Sequence, residues 1–214
     1  MDADTFAARL SELRVVPVVT IDDAADAAGL AAALAEGGLP IAEITFRTDA
    51  AAEAIAAIRA ARPDVLVGAG TVLDAATVDK ALDAGAHFIV APGFNPAMVV
   101  YALARGASVL PGVVTPSEIE AAMSLGLRVL KFFPAEASGG PAYLSAVRAT
   151  YPSVRFMPTG GINLGNLGSY LALPNVIAAG GTWIATAEAI RGQRWEEISG
   201  LAAEAVKISR PPSA

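Results

Sequence analysis

Residues Leu127–Glu136, LRVLKFFPAE, set a lysine inside a short apolar run that reads as a buried strand closed by proline. An ammonium at Lys131 is costly in such a place unless it is paired, or unless the chain needs the amine uncharged. A neutral amine held there can attack a carbonyl. The strand belongs to a series. Apolar, β-branched stretches recur as VVPVVT from Val15, IAEITF from Ile41, VLVGAG from Val65 and AHFIVA from Ala86. They continue as ASVLPG from Ala107, LRVLKFF from Leu127, VRFMPTGG from Val154 and NVIAAGG from Asn175. Helix-like segments lie between them, such as DAADAAGLAAALAEGG, DAAAEAIAAIRAARP and DAATVDKALDAGA. Each opens on a capping residue and closes near Gly or Pro.

Short buried strands separated by helices predict a parallel sheet, because parallel pairing needs long crossovers. Eight such units in 214 residues predict one (β/α)8 barrel domain spanning residues 1–214. An open doubly wound sheet is the alternative, but no GxGxxG follows the first strand. The segment before Val15 reads as an additional N-terminal helix that closes the bottom of the barrel. The tail SRPPSA reads as a frayed end without chemistry.

Composition narrows the function. The chain is 54% hydrophobic and 17% charged, which predicts a well-packed globular protein. Its net charge of −6, with no basic stripe, argues against nucleic acid as a partner. With no cysteine there are no disulfides and no thiolate chemistry, and one histidine excludes a zinc site built on several imidazoles. No metal and no cofactor are expected. The N-terminus is not a signal peptide and no apolar run reaches membrane-span length, so the expectation is a cytoplasmic protein without a membrane partner.

In a barrel, the active site lies at the C-terminal ends of the strands. Glu43 and Thr45 sit in the second strand with Arg47 just beyond, and Gly68, Gly70 and Thr71 end the third. Pro92–Gly93 follow the fourth, and Lys131 and Phe133 end the sixth. By the two-residue period, Glu43, Thr45 and Arg47 share one face, as do Val129, Lys131 and Phe133. Glu43 and Lys131 are therefore expected to be neighbours across the interior. The plain alternative is a buried salt bridge, a weak stabiliser because desolvation offsets the attraction. It would leave the surrounding arginine, threonine and glycine loops unexplained. Thr159–Gly160–Gly161 and Gly180–Gly181–Thr182 close strands seven and eight, where barrels often hold a phosphate on free backbone N–H groups. Plain turn geometry is the competing reading of those glycines. His87 reads as structural, Trp183 and Trp195 as packing residues, and Glu36, Arg59 and Arg62 as a solvated face.

The segments EITFRT (Glu43–Thr48), VGAGTV (Val67–Val72), APGFNP (Ala91–Pro96), LKFFPAE (Leu130–Glu136) and PTGGI (Pro158–Ile162) occur in order along nearly the whole chain. Together they resemble the 2-keto-3-deoxy-6-phosphogluconate aldolase family, the class I Schiff-base aldolases also described as 4-hydroxy-2-oxoglutarate aldolases. The resemblance implies Lys131 as the Schiff-base lysine and Glu43 as the general acid/base. Arg47 and Thr71 match groups that hold the substrate's carboxylate end, and Pro92 and Phe133 match pocket walls. Thr159, Gly160, Gly161, Gly180, Gly181 and Thr182 match the region around the distal hydroxyls and phosphate. The implied reaction is reversible cleavage of a phosphorylated 2-keto acid to pyruvate and glyceraldehyde 3-phosphate, with 4-hydroxy-2-oxoglutarate as a further substrate, by a homotrimer.

Thr182 stands where many family members carry serine, which keeps the hydroxyl and adds a methyl group. Family members acting on the galactonate epimer often lack the threonine of PTGG, so the resemblance at Thr159 implies the gluconate epimer. Three other readings remain at this level. One is an aldolase for the galactonate epimer or for unphosphorylated 4-hydroxy-2-oxoacids. Another is a phosphate-binding barrel isomerase or synthase, which needs no imine lysine. The third is a non-catalytic sugar-phosphate sensor.

Overall fold

A computed structural model describes residues 2–210. The N-terminal segment forms helix α1 (Ala3–Leu13), capped by Asp2, whose carboxylate accepts from the Thr5 amide. The apolar stripe of α1 buries Phe6, Ala7 and Leu10. Phe6 stacks on Phe88 with ring centroids 4.8 Å apart. Each large side chain buried this way contributes about 1.5–3 kcal/mol. The helix lies against the starts of the strands, since Phe6 and Ala7 share a cavity with Val109 and Val129.

After α1 the expected alternation appears. Its elements run β1 (Val15–Val19), α2 (Ala27–Glu36), β2 (Ile41–Thr45), α3 (Ala51–Ala61), β3 (Leu66–Gly70), α4 (Ala75–Asp83), β4 (Phe88–Val90) and α5 (Pro96–Ala104). They continue with β5 (Ser108–Leu110), β6 (Gly112–Val113), α6 (Pro116–Ser124), β7 (Val129–Phe132), α7 (Gly140–Arg148), β8 (Arg155–Pro158) and α8 (Leu164–Leu171). The last are β9 (Ala179–Gly181), α9 (Ala187–Arg191) and α10 (Trp195–Ser209). All strand pairs are parallel. The sheet is curled and has two hydrogen-bonded parts, ordered β5-β4-β3-β2-β1-β9 and β6-β7-β8. Single bridges, Phe156 to Val176 and Thr159 to Gly180, link β8 to the chain around β9. First and last elements meet: β1 pairs with β9, and α10 packs between α2 and α8.

Several local expectations change. The stretch ASVLPG is not one strand, because Pro111 lacks an amide and separates β5 from β6. Its carbonyl still accepts from the Lys131 amide at 3.0 Å. The last strand is shorter than NVIAAGG suggests and covers only Ala179–Gly181. Helix α3 starts from Ala50 without a side-chain cap, so Asp49 does not cap it, whereas Asp74 caps α4 as read. Ser209 ends α10 instead of belonging to a frayed tail, and residues 211–214 of SRPPSA lie outside the described residues. Among the described residues no helix is long and apolar enough to cross a membrane.

His87 sits at the start of β4, away from the C-terminal strand ends, in a structural role. Arg59, expected on a solvated face, instead turns its Nη1 to His87 Nε2 at 2.8 Å. A guanidinium only donates, so Nε2 accepts and Nδ1–H donates to the Val67 carbonyl at 3.2 Å. Burial and the Arg59 charge push the His87 pKa below its ordinary value. The folded state therefore favours the neutral ring, and this stability is fully present above the unfolded pKa of about 6.5. It is lost as pH falls from there through the lowered folded value. Urea unfolding at about pH 8 and about pH 5 checks this: a His87→Asn variant should lose less stability on acidification than the parent.

Candidate active site

The Lys131 and Glu43 side chains meet inside the curled sheet. Lys131 Nζ donates to Glu43 Oε1 at 3.2 Å, across 88 residues of sequence. The two strands belong to different parts of the sheet, so this contact requires β2 and β7 to turn one face toward a shared interior. Glu43 is 1% exposed and Lys131 4%. The room for Glu43 comes from β3. A Cβ on Gly70 would lie 2.3 Å from Glu43 Oε1, and one on Gly68 would lie 2.2 Å from the Phe88 ring. The small residues of VGAG thus make space for a carboxylate and an aromatic ring.

Above the pair opens a cleft whose lining includes Lys131, Arg47, Phe133 and Thr159. Gly160, Gly161, Gly181 and Thr182 line it too, joined by Val18 and Ile162, which sequence reading did not single out. Phe133 lies one residue past the end of β7, with its ring centroid 5.3 Å from Lys131 Nζ. The turn carrying Arg47 is anchored by Thr48, whose hydroxyl donates to the Ile21 carbonyl at 2.6 Å, and by the Phe46 amide on the Gly70 carbonyl at 2.8 Å. Arg47 is exposed and, among the described residues, has no ion-pair partner. Thr45, on the same strand face as Glu43, is spent on structure: its hydroxyl donates to the Val19 carbonyl at 2.9 Å.

Other predicted residues stand apart. Glu43 lies behind Lys131 and does not line the cleft, and neither does Gly180. Gly180 serves by proximity, since a Cβ there would fall 2.4 Å from Thr159 Oγ1. Pro92 lines a separate groove with Val72, Leu73 and Phe94, and its carbonyl packs against Gly112. Thr71 is half-buried outside the cleft lining, yet it adopts φ +58°. A β-branched residue rarely takes that backbone, which costs about 1–3 kcal/mol and is concentrated at functional sites. Trp183 packs over Gly181 as expected, and Trp195 over Gly29.

Polar capacity is left over at this site. Glu43 Oε2 and Thr159 Oγ1 are buried and lack a hydrogen-bond partner. Both orphan oxygens lie beside a cleft with a free arginine, an arrangement that suits a polar ligand. Nitrogen, carboxylate, hydroxyl and guanidinium there are chemically able to serve as nucleophile, proton carrier and anion clamp.

The buried pair also makes a stability claim. Removing one partner leaves a charge stranded in the interior, which costs about 3–5 kcal/mol. Urea denaturation should show that loss for Glu43→Leu alone. The double variant Glu43→Leu with Lys131→Met should recover most of it, because neither charge then remains.

Comparison with known proteins bears on the whole chain. The family model for KDPG and KHG aldolase matches residues 6–201. The chain is similar to a 2-dehydro-3-deoxy-phosphogluconate aldolase of Treponema pallidum, with 48% identity covering 93% of this chain and 95% of the relative. Among solved structures it is similar to a KDPG aldolase of Legionella pneumophila with pyruvate captured as a covalent carbinolamine intermediate. That likeness has TM-score 0.89 and 38% identity, over 92% of this chain and 96% of the other. A 2-keto-3-deoxy-6-phospho-gluconate aldolase of Zymomonas mobilis gives TM-score 0.88 and 38% identity, over 98% of each chain. The chain belongs to the KDPG and KHG aldolase family.

Proposed function

We propose that this protein is a class I aldolase that reversibly cleaves 2-keto-3-deoxy-6-phosphogluconate to pyruvate and glyceraldehyde 3-phosphate through a Schiff base on Lys131. The observation that carries the proposal is the 3.2 Å contact between the buried Lys131 amine and the Glu43 carboxylate at the floor of the cleft. Family membership and the covalent pyruvate adduct of the Legionella relative support it.

Carbon–carbon cleavage needs a place for the bonding electrons, and a protonated imine accepts them far more readily than a ketone. Transfer of one proton from Lys131 to Glu43 leaves a neutral amine beside a neutral carboxyl. The amine attacks the substrate's C2 ketone, its proton passes to the oxygen, and a carbinolamine forms. Glu43 then gives its proton to the departing hydroxyl, so water leaves and an iminium remains. As a carboxylate once more, Glu43 takes the C4 hydroxyl proton while the C3–C4 pair moves into the iminium. The aldehyde departs and an enamine of pyruvate is left. Protonation at C3 by the same carboxyl, followed by attack of water at C2, releases pyruvate and restores the amine. Proton transfer of this kind is worth about 10²–10⁴-fold in rate. With Oε1 on the amine and Oε2 unpartnered behind Lys131, Glu43 moves these protons directly or through one water.

Arg47 and Thr71 are the proposed holders of the carboxylate end, Arg47 through its planar fork of donors. Pro92 and Phe133 are the proposed pocket walls. Thr159, Gly160, Gly161, Gly180, Gly181 and Thr182 are the proposed binders of the distal hydroxyls and phosphate, and Thr159 favours the gluconate epimer. Binding energy from that remote end helps to orient the reacting carbons. The reading extends to 4-hydroxy-2-oxoglutarate as a second substrate, a homotrimer and a cytoplasmic location. It also takes residues 1–214 as one (β/α)8 barrel domain, supported by the pairing of β1 with β9 and the bridges from β8.

Sodium borohydride added with pyruvate should fix a covalent adduct on Lys131, located by peptide mass. Lys131→Ala should stay unlabelled and inactive, and near-parental turnover in that variant would remove the Schiff base. Glu43→Gln should lower kcat by about 10²–10⁴-fold while still allowing slow trapping.

A further inference from the structure

Behind the Gly160–Gly161 turn lies a pair that the proposed chemistry does not use. The Tyr170 hydroxyl, on α8, donates to Glu136 Oε1. Burial and the adjoining carboxylate raise the phenol's pKa far above its ordinary value, so it stays a donor. Glu136 in turn lies flat on the turn: a Cβ on Gly161 would fall 2.5 Å from Glu136 Cγ and 2.7 Å from its Cβ. Gly160 and Gly161 take φ +100° and +81°, which glycine alone adopts freely. The side chain at 136 and the bare Cα at 161 therefore fit as one surface.

The carbonyls of the turn are all held. The Ala135 amide donates to the Thr159 carbonyl at 2.8 Å, and the Glu136 amide to the Gly160 carbonyl at 3.1 Å. Asn166 Nδ2 donates to the Gly161 carbonyl at 3.0 Å. A trans peptide is planar, so each carbonyl points opposite to the N–H of the next residue. Fixing the carbonyls of residues 159, 160 and 161 thus fixes the amides of 160, 161 and 162 in the opposite directions. The Thr159–Gly180 bridge turns the Gly160 amide toward the Gly180 carbonyl, whereas among the described residues the Gly161 amide has no protein acceptor, and the turn lines the cleft with Lys131 and Arg47.

We propose that Glu136, locked by Tyr170, and Asn166 are positioning residues that hold this turn with the Gly161 amide toward the cleft. They set the affinity for the anionic distal end of the substrate without touching it. Tyr170 also ties down a carboxylate that would otherwise compete with a bound anion. The inference rests on the aldolase reading, which places a phosphate at the turn.

The test is kinetic, on Tyr170→Phe, Glu136→Ala and Glu136→Gln. The readouts are kcat and KM for 2-keto-3-deoxy-6-phosphogluconate, competitive inhibition by inorganic phosphate, and the pyruvate concentration giving half-maximal borohydride trapping. Tyr170→Phe and Glu136→Ala should raise KM and the phosphate inhibition constant about tenfold, with kcat within about twofold. Half-saturation by pyruvate, which has no distal end, should not move. Glu136→Gln keeps the packing and an acceptor for Tyr170, so it should stay near the parent. Unchanged KM in the first two variants would overturn the positioning role. So would an equal shift in the pyruvate value, which marks general damage, or a Glu136→Gln effect as large as that of Glu136→Ala. If the parent neither cleaves substrate nor traps pyruvate, the aldolase reading fails instead. Calorimetric phosphate affinity, compared between parent and Glu136→Ala, then still decides the role of the turn.

Discussion

The whole site depends on one contact, the hydrogen-bonded ion pair of Lys131 and Glu43 in the interior. Neither group could stay buried without the other, because an isolated charge in a low-dielectric interior is far too costly. The pair therefore constrains its surroundings. It forces β2 and β7 to present one face each to a common space, and it requires the missing side chain at Gly70. It also limits the fold, because a flat sheet with β2 and β7 in separate parts could not bring these two residues within 3.2 Å. A hydrophobic pair would fill the space at less electrostatic cost, so retention of the charges points to chemistry more than to stability.

Around that pair the structure divides its polar groups by task. Thr45 and Thr48 spend their hydroxyls on backbone carbonyls and thereby fix the Arg47 turn. Thr159 Oγ1 and the Arg47 guanidinium remain unspent at the cleft, and Glu43 Oε2 remains unspent behind it. The division has a mechanical meaning. Rigid strands hold the reacting groups, while turns at their C-terminal ends carry the groups that would grip the two ends of a substrate. The left-handed backbone at Thr71, beside the end of β3, fits the tendency of strain to gather at working sites.

Much of this was legible in the sequence because its cues are periodic. Val, Ile and Phe runs closed by Gly, Pro or Thr marked where strands lie, although one run splits into β5 and β6 and the last shortens to Ala179–Gly181. The two-residue period put Glu43 and Lys131 on interior faces. What escaped was set by contacts distant in sequence. Pro111 breaks a strand because of its missing amide, but its carbonyl continues the pairing to Lys131, which no local rule anticipates. Arg59 reads as a surface residue until the fold places His87 within its reach. Pro92 lines a groove with Val72, Leu73 and Phe94, a packing that its position along the chain does not foretell. Glu136 looked like part of a motif without a task, because its partners Tyr170 and Gly161 become neighbours only when β7 and β8 pair.

The central claim is that the Lys131 amine forms an imine whose protons Glu43 carries. Deuterium exchange into the methyl group of pyruvate, followed by proton NMR in heavy water, tests it most directly. An imine on Lys131 opens to an enamine, and its return stores solvent deuterium at C3. The parent protein should therefore wash out the methyl signal, Glu43→Gln should do so much more slowly, and Lys131→Ala should not exceed buffer. Exchange in Lys131→Ala at the parental rate would contradict the claim outright.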